Sequence, residues 1–119
     1  MKHWSFFTKI LNVISFKKGP PKKIEGLKEQ IGTQLGATEN ISLFVVSNPQ
    51  PTIEWQTQSD NCGEWTILPE DRYQYNIYSW IKIRTDSDFR QYTFLIKNTV
   101  NKTFLNVYIT AQGMYSVIV

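Results

Sequence analysis

From residue 20 onward, apolar side chains recur at every second position and nowhere at helical spacing. A period of two sends alternate side chains to opposite faces of an extended chain, so this pattern folds into half-buried β-structure. Ile41, Leu43 and Val45 alternate with Ser42 and Phe44, and Thr52–Thr57 alternates again. Trp65–Leu68 is a short strand ended by Pro69, and Tyr73–Arg84 alternates through Ile77, Ile81 and Ile83. Tyr92, Phe94 and Ile96 share one face, as do Leu105, Val107 and Ile109. Turn clusters separate these runs: Asn48-Pro49-Gln50-Pro51, Gln58–Gly63, Asp86-Ser87-Asp88 and Asn98–Lys102. Short strands divided by such turns predict an all-β sandwich or barrel, its last two strands antiparallel across a short connection.

The rest of the composition narrows function by exclusion. With 119 residues the chain holds one domain, and 14% aromatic content suits pleated surfaces. No apolar run reaches the length of roughly 18 residues expected of a spanning helix. A single Cys62 excludes an internal disulfide and a cysteine-based zinc site. The only histidine, His3, lies at the terminus, so a serine or cysteine nucleophile has no base near the domain. Glu70 with Asp71, and Asp86 with Asp88, sit in turns, where carboxylates cap backbone. These features predict no enzyme activity, no metal and no cofactor.

Charge divides the chain in two. Residues 1–28 hold seven lysines against Glu25, whereas the remainder holds six basic and nine acidic residues. Nucleic-acid binders carry basic charge on the folded face, and here the body has the wrong sign, so no nucleic-acid partner is expected. Residues 1–19 form a leader with three readings. It resembles a secretion signal in outline, although Lys9 and Asn12 interrupt its apolar stretch. Phe6, Phe7, Ile10, Leu11, Val13 and Ile14 also fit one face of an amphipathic helix, which would give weak membrane contact. The third reading is a spacer. Lys17–Lys23, with Pro20-Pro21, breaks any helix and leads into the domain, taken as residues 20–112. Residues 113–119 form an apolar C-terminal extension, either a further edge strand or the stump of a longer protein.

The order of these features resembles an immunoglobulin-like domain of the intermediate type found in cell-adhesion receptors. Pro20–Leu27 looks like that family's first strand, and Leu35-Gly36 like the turn before its second, Ile41-Ser42-Leu43. Pro49-Gln50-Pro51-Thr52-Ile53-Glu54-Trp55 matches the run that ends in the family's core tryptophan, with Leu43 in place of the first cysteine, twelve residues earlier. Asp88-Phe89-Arg90-Gln91-Tyr92-Thr93-Phe94 is similar to the family's Asp-x-Gly-x-Tyr-x-Cys, with Arg90 for the glycine and Phe94 for the second cysteine. Asn98 stands where the family often has an Asn before the last hairpin.

The resemblance implies a two-sheet antiparallel sandwich whose inter-sheet disulfide is replaced by Leu43 and Phe94 beside Trp55. It also implies a tyrosine corner at Tyr92, and a turn held by Asp88, paired with Arg72 or Arg84. It further implies a recognition module that binds a protein partner in an extracellular or cell-surface receptor. The alternative is a cytoplasmic structural module like those of muscle proteins, which the absent disulfide favours. Asn40-Ile41-Ser42 and Asn101-Lys102-Thr103 are N-glycosylation sequons. Parity places Tyr78, Trp80, Phe104 and Tyr108 outward, either as a binding face (Tyr78, Trp80 and Tyr108 foremost) or packed against the leader or C-terminal segment. Cys62, in a polar loop, is a link to another chain, a metal contact, or incidental.

Overall fold

The alternating segments form eight strands in a computed structural model that describes residues 18–112. They are β1 (Gly19–Glu25), β2 (Gln30–Thr33), β3 (Thr38–Asn48), β4 (Thr52–Trp55), β5 (Thr66–Pro69), β6 (Gln74–Lys82), β7 (Gln91–Lys97) and β8 (Lys102–Ala111). A 3₁₀ turn, Asp86–Asp88, bridges β6 and β7. One sheet runs β1-β3-β6-β5 and the other β2-β8-β7-β4. The two inner faces meet in one core of Ile41, Leu43, Val45, Tyr75, Ile77, Ile81, Ile83, Tyr92, Phe94, Ile96, Val107 and Ile109. Alternate apolar residues of the long strands enter it, as the sequence period requires.

All pairings are antiparallel except one. β2 runs parallel to β8, with Ile31 beside Ile109, a local exception within the antiparallel two-sheet sandwich that the sequence predicts. The chain leaves β1 after Glu25, turns at Gly26 (φ +99°), and crosses to the other sheet as β2. A positive φ there favours glycine, which has no Cβ to clash with the backbone. A four-residue strand with only Ile31 and Thr33 facing inward is too short to stand out as a period.

Local boundaries also shift. β1 starts at Gly19, one residue earlier than the sequence suggests, and takes in the lysine-proline stretch assigned to the linker. Prolines are tolerated there because β1 is an edge strand. Pro69 likewise lies within the edge strand β5 rather than after it. Gly36 (φ +89°) turns the chain into β3, and the Asn48–Pro49 peptide is cis. The leader through Lys17 and the segment from Gly113 onward lie outside the described residues. Among the described residues no helix is long and apolar enough to cross a membrane.

Candidate recognition surfaces

The core residues named from the sequence fall close together, though not all as expected. Leu43 and Phe94 are both buried in the same core cluster. Phe94 meets Trp55 edge-on at 5.6 Å between ring centroids and Trp65 at 4.8 Å. Trp55 is not a fully enclosed core indole: it is half-buried and stacks against Trp65 at 4.7 Å. Its Nε1–H donates to the Gly63 carbonyl at 2.8 Å, which holds the ring at the rim of the core. Trp65, just ahead of β5, packs its ring against both Trp55 and Phe94, a contact that strand periodicity does not signal.

Tyr92 is fully buried, and its hydroxyl donates to the Asp88 carbonyl at 2.7 Å. The Asp88 carboxylate accepts the backbone N–H groups of Arg84 at 2.8 Å and Thr85 at 3.1 Å. Of its two candidate partners only Arg84 approaches, with Nε at 3.9 Å. Arg90, at the family's glycine position, lays its guanidinium 5.0 Å from the Tyr92 ring centroid. Asn61 was missed. It is buried, and its Nδ2 donates to both the Tyr92 hydroxyl and the Lys82 carbonyl, each at 2.9 Å. Asn98 is a second pin: its Nδ2 donates to the Gly19 carbonyl at 2.8 Å and the Ser47 hydroxyl at 3.0 Å, tying the last hairpin to β1 and β3.

The exposed aromatics divide between two surfaces. Tyr78 (42% exposed) and Trp80 (41%) project from β6, whereas Phe104 (53%) and Tyr108 (46%) project from β8. β6 and β8 belong to different sheets. The outer faces of a sandwich point in opposite directions, so the grouping of Tyr78, Trp80 and Tyr108 on one face is corrected to two separate faces. Trp80 lies with its indole over Gly63, where even a Cβ would come within 2.2 Å of the ring nitrogen. Around Phe104 the rim is polar: Lys102 Nζ stands 5.8 Å from its ring centroid, and Thr93 bonds to Asn106 at 2.7 Å. A shallow groove of about 350 Å³ runs beside Phe104 and Tyr108, bordered by Glu29 and Gln30. Apolar rings within a polar rim match the anatomy of protein-binding surfaces.

Asn40 and Asn101 are both exposed. Cys62 is half-buried, and its backbone bridges to Ile81. Burial pushes its thiol up to about 11 from 9.0. The thiolate is the reactive form, so Cys62 rests as an inert thiol near neutrality. We expect it to react slowly with a disulfide reagent at neutral pH until urea unfolds the chain. Because the folded pKa is the higher, the stability this group contributes is complete below about pH 9 and falls as pH climbs towards about 11. Cys62→Ser should flatten that part of the stability–pH curve. A thiol that reacts at the unfolded rate in the native protein would contradict this. Among the described residues no cluster of three His, Cys, Asp or Glu side chains is placed to hold a metal ion.

No protein-family model matches the chain. No curated protein matches it by sequence. Solved structures do share its fold. A chain of the complex between Dpr2 Ig1-Ig2 and DIP-Theta Ig1-Ig3 superposes with a TM-score of 0.64 at 15% identity, over 79% of this chain and 33% of that one. A titin immunoglobulin tandem gives 0.56 at 17% identity, over 80% of this chain and 50% of that one. The titin M4 domain gives 0.61 at 14% identity, over 81% of this chain and 99% of that one. This chain thus spans a third to a half of the first two and nearly all of the third. Its fold is an immunoglobulin-like β-sandwich, shared with domains of both the Dpr2–DIP-Theta complex and titin.

Proposed function

We propose that the domain is a non-catalytic recognition module that binds a protein partner at the cell surface or outside the cell. The observation that carries this reading is that, among the described residues, Tyr78, Trp80, Phe104 and Tyr108 are left exposed on the outer faces of the sandwich. Aromatic residues are concentrated at the energetic centres of protein interfaces. The sandwich works by presentation: the sheets hold the rings rigidly, so little conformational entropy is lost on binding. An immunoglobulin-to-immunoglobulin complex among its structural neighbours supports a protein as partner.

The test uses the domain displayed as a multimer against intact cells. Tyr78→Ala with Trp80→Ala, and separately Phe104→Ala with Tyr108→Ala, remove one aromatic face each. Loss of binding in one pair supports the proposal, by about 2 kcal/mol or more if the rings are hot spots. Binding that survives both pairs removes it. A second reading, a cytoplasmic structural module, is favoured by the half-buried reduced Cys62 and by Leu43 and Phe94 in place of a disulfide.

A further inference from the structure

We propose that Asn40 carries an N-linked glycan that closes the Tyr78–Trp80 face to protein partners. This rests on the extracellular reading above. The sequon Asn40-Ile41-Ser42 lies within β3, where Ile41 enters the core and both Asn40 and Ser42 face solvent. In the pairing with β6, Asn40 stands opposite Trp80 and Ser42 opposite Tyr78. Residues directly opposite on one sheet face have Cβ atoms about 5 Å apart. The two sequon residues and the two exposed rings therefore form a single patch of four side chains.

The same stretch of β3 has room for a sugar. β1 pairs with β3 only from Asn48 back to Phe44 and Gly26 lies against Leu43, so among the described residues no strand pairs with β3 on that side from Thr38 to Ser42. A groove of about 250 Å³ occupies the opening, lined by Gly26, Leu27, Lys28, Glu39, Asn40 and Ser42 among others. An open strand edge is a pairing hazard, and a bulky polar group there blunts it. Asn101 differs in both respects. It sits at the tip of the β7–β8 connection, its Oδ1 accepts the Lys102 N–H at 2.8 Å, and it faces no ring across a strand.

In the transfer step Asn40 Nδ2 forms a bond to the anomeric carbon of the first sugar of a lipid-linked oligosaccharide diphosphate. The bond from that carbon to the diphosphate breaks, the lipid diphosphate leaves, and one amide proton passes to solvent. With this face covered, binding in the paired alanine test falls to Phe104 and Tyr108.

The experiment places the full chain behind a cleavable secretion signal in cultured cells. Glycopeptide mass spectrometry then reads occupancy at Asn40 and Asn101. Hydroxyl-radical footprinting compares the glycosylated protein with the same protein after N-glycosidase treatment. We expect Asn40 to be occupied, Ser42→Ala to abolish that occupancy while sparing Asn101, and oxidation of Tyr78 and Trp80 to rise severalfold on removal of the sugar. Phe104 and Tyr108 should not change. A bare Asn40 beside an occupied Asn101 overturns the inference and leaves the extracellular reading standing. Both sites bare in a secreted, folded chain likewise overturns the inference, and the binding assay on intact cells tests the recognition reading separately. An occupied Asn40 with unchanged oxidation of Tyr78 and Trp80 overturns the shielding.

Discussion

Phe94→Ala is expected to cost about 3–5 kcal/mol of unfolding free energy, the range for truncating a buried aromatic. Domains of this kind are stable by about 5–15 kcal/mol in total, so the variant should sit near the edge of folding. The position explains the size of the effect. Phe94 is fully buried on the central strand β7, and its ring contacts both Trp55 and Trp65. Those indoles are themselves fixed, Trp55 by its bond to the Gly63 carbonyl and Trp65 by stacking on Trp55, so they cannot collapse into the vacated space. The cavity would remain, and its lining would lose dispersion contacts outright. Urea unfolding followed by tryptophan fluorescence measures the loss. Phe94→Leu, which keeps most of the volume, should recover more than half of it. A drop below about 1 kcal/mol for Phe94→Ala would mean the site collapses and that Phe94 does not replace the covalent bridge.

A bridge in a small secreted domain contributes about 2–5 kcal/mol, and each large buried apolar side chain about 1.5–3 kcal/mol. Leu43 and Phe94 together thus reach the same magnitude without a redox requirement. The stability of the sandwich is then independent of compartment. That independence is why the sequence speaks more clearly about fold than about location.

The alternation through β3, β6, β7 and β8 was legible because each of those strands is long enough to show its period and turns one face towards the core. The same parity gave the exposure of Tyr78, Trp80, Phe104 and Tyr108. Parity separates inside from outside, but it carries no information on which sheet a strand joins, so rings on opposite faces looked like one surface. β2 was hidden because four residues with two inward positions barely make a pattern. Asn61 and Trp65 were hidden for another reason. A buried asparagine in a polar loop reads as a turn residue, and its role depends on Tyr92, 31 positions away. Gly63 likewise reads as a turn glycine, yet it is the floor on which Trp80 rests. Contacts of this kind are made by tertiary folding and leave no local periodicity.

Tyr92→Phe isolates the most remote of those contacts. The substitution keeps the ring and the packing and removes only the hydroxyl, so its cost reports hydrogen bonding alone. The Asp88 carbonyl loses its donor at 2.7 Å, and the Asn61 Nδ2 loses an acceptor at 2.9 Å while keeping the Lys82 carbonyl. Both groups are shut away from water, so neither recovers a partner from solvent. Leaving buried polar groups unsatisfied costs roughly 1–3 kcal/mol each, and the Asn61 Nδ2 retains one of its two bonds, which together gives about 2–3 kcal/mol for the variant. Asn61→Ala removes the other half of the pair. In a double-mutant cycle the two substitutions should couple by about 1 kcal/mol, because each orphans a group that the other removes. The denaturant slope should not change, since the folded surface is the same. Full additivity would show that Asn61 holds only the Lys82 carbonyl, and that the hydroxyl of Tyr92 serves the Asp88 turn by itself.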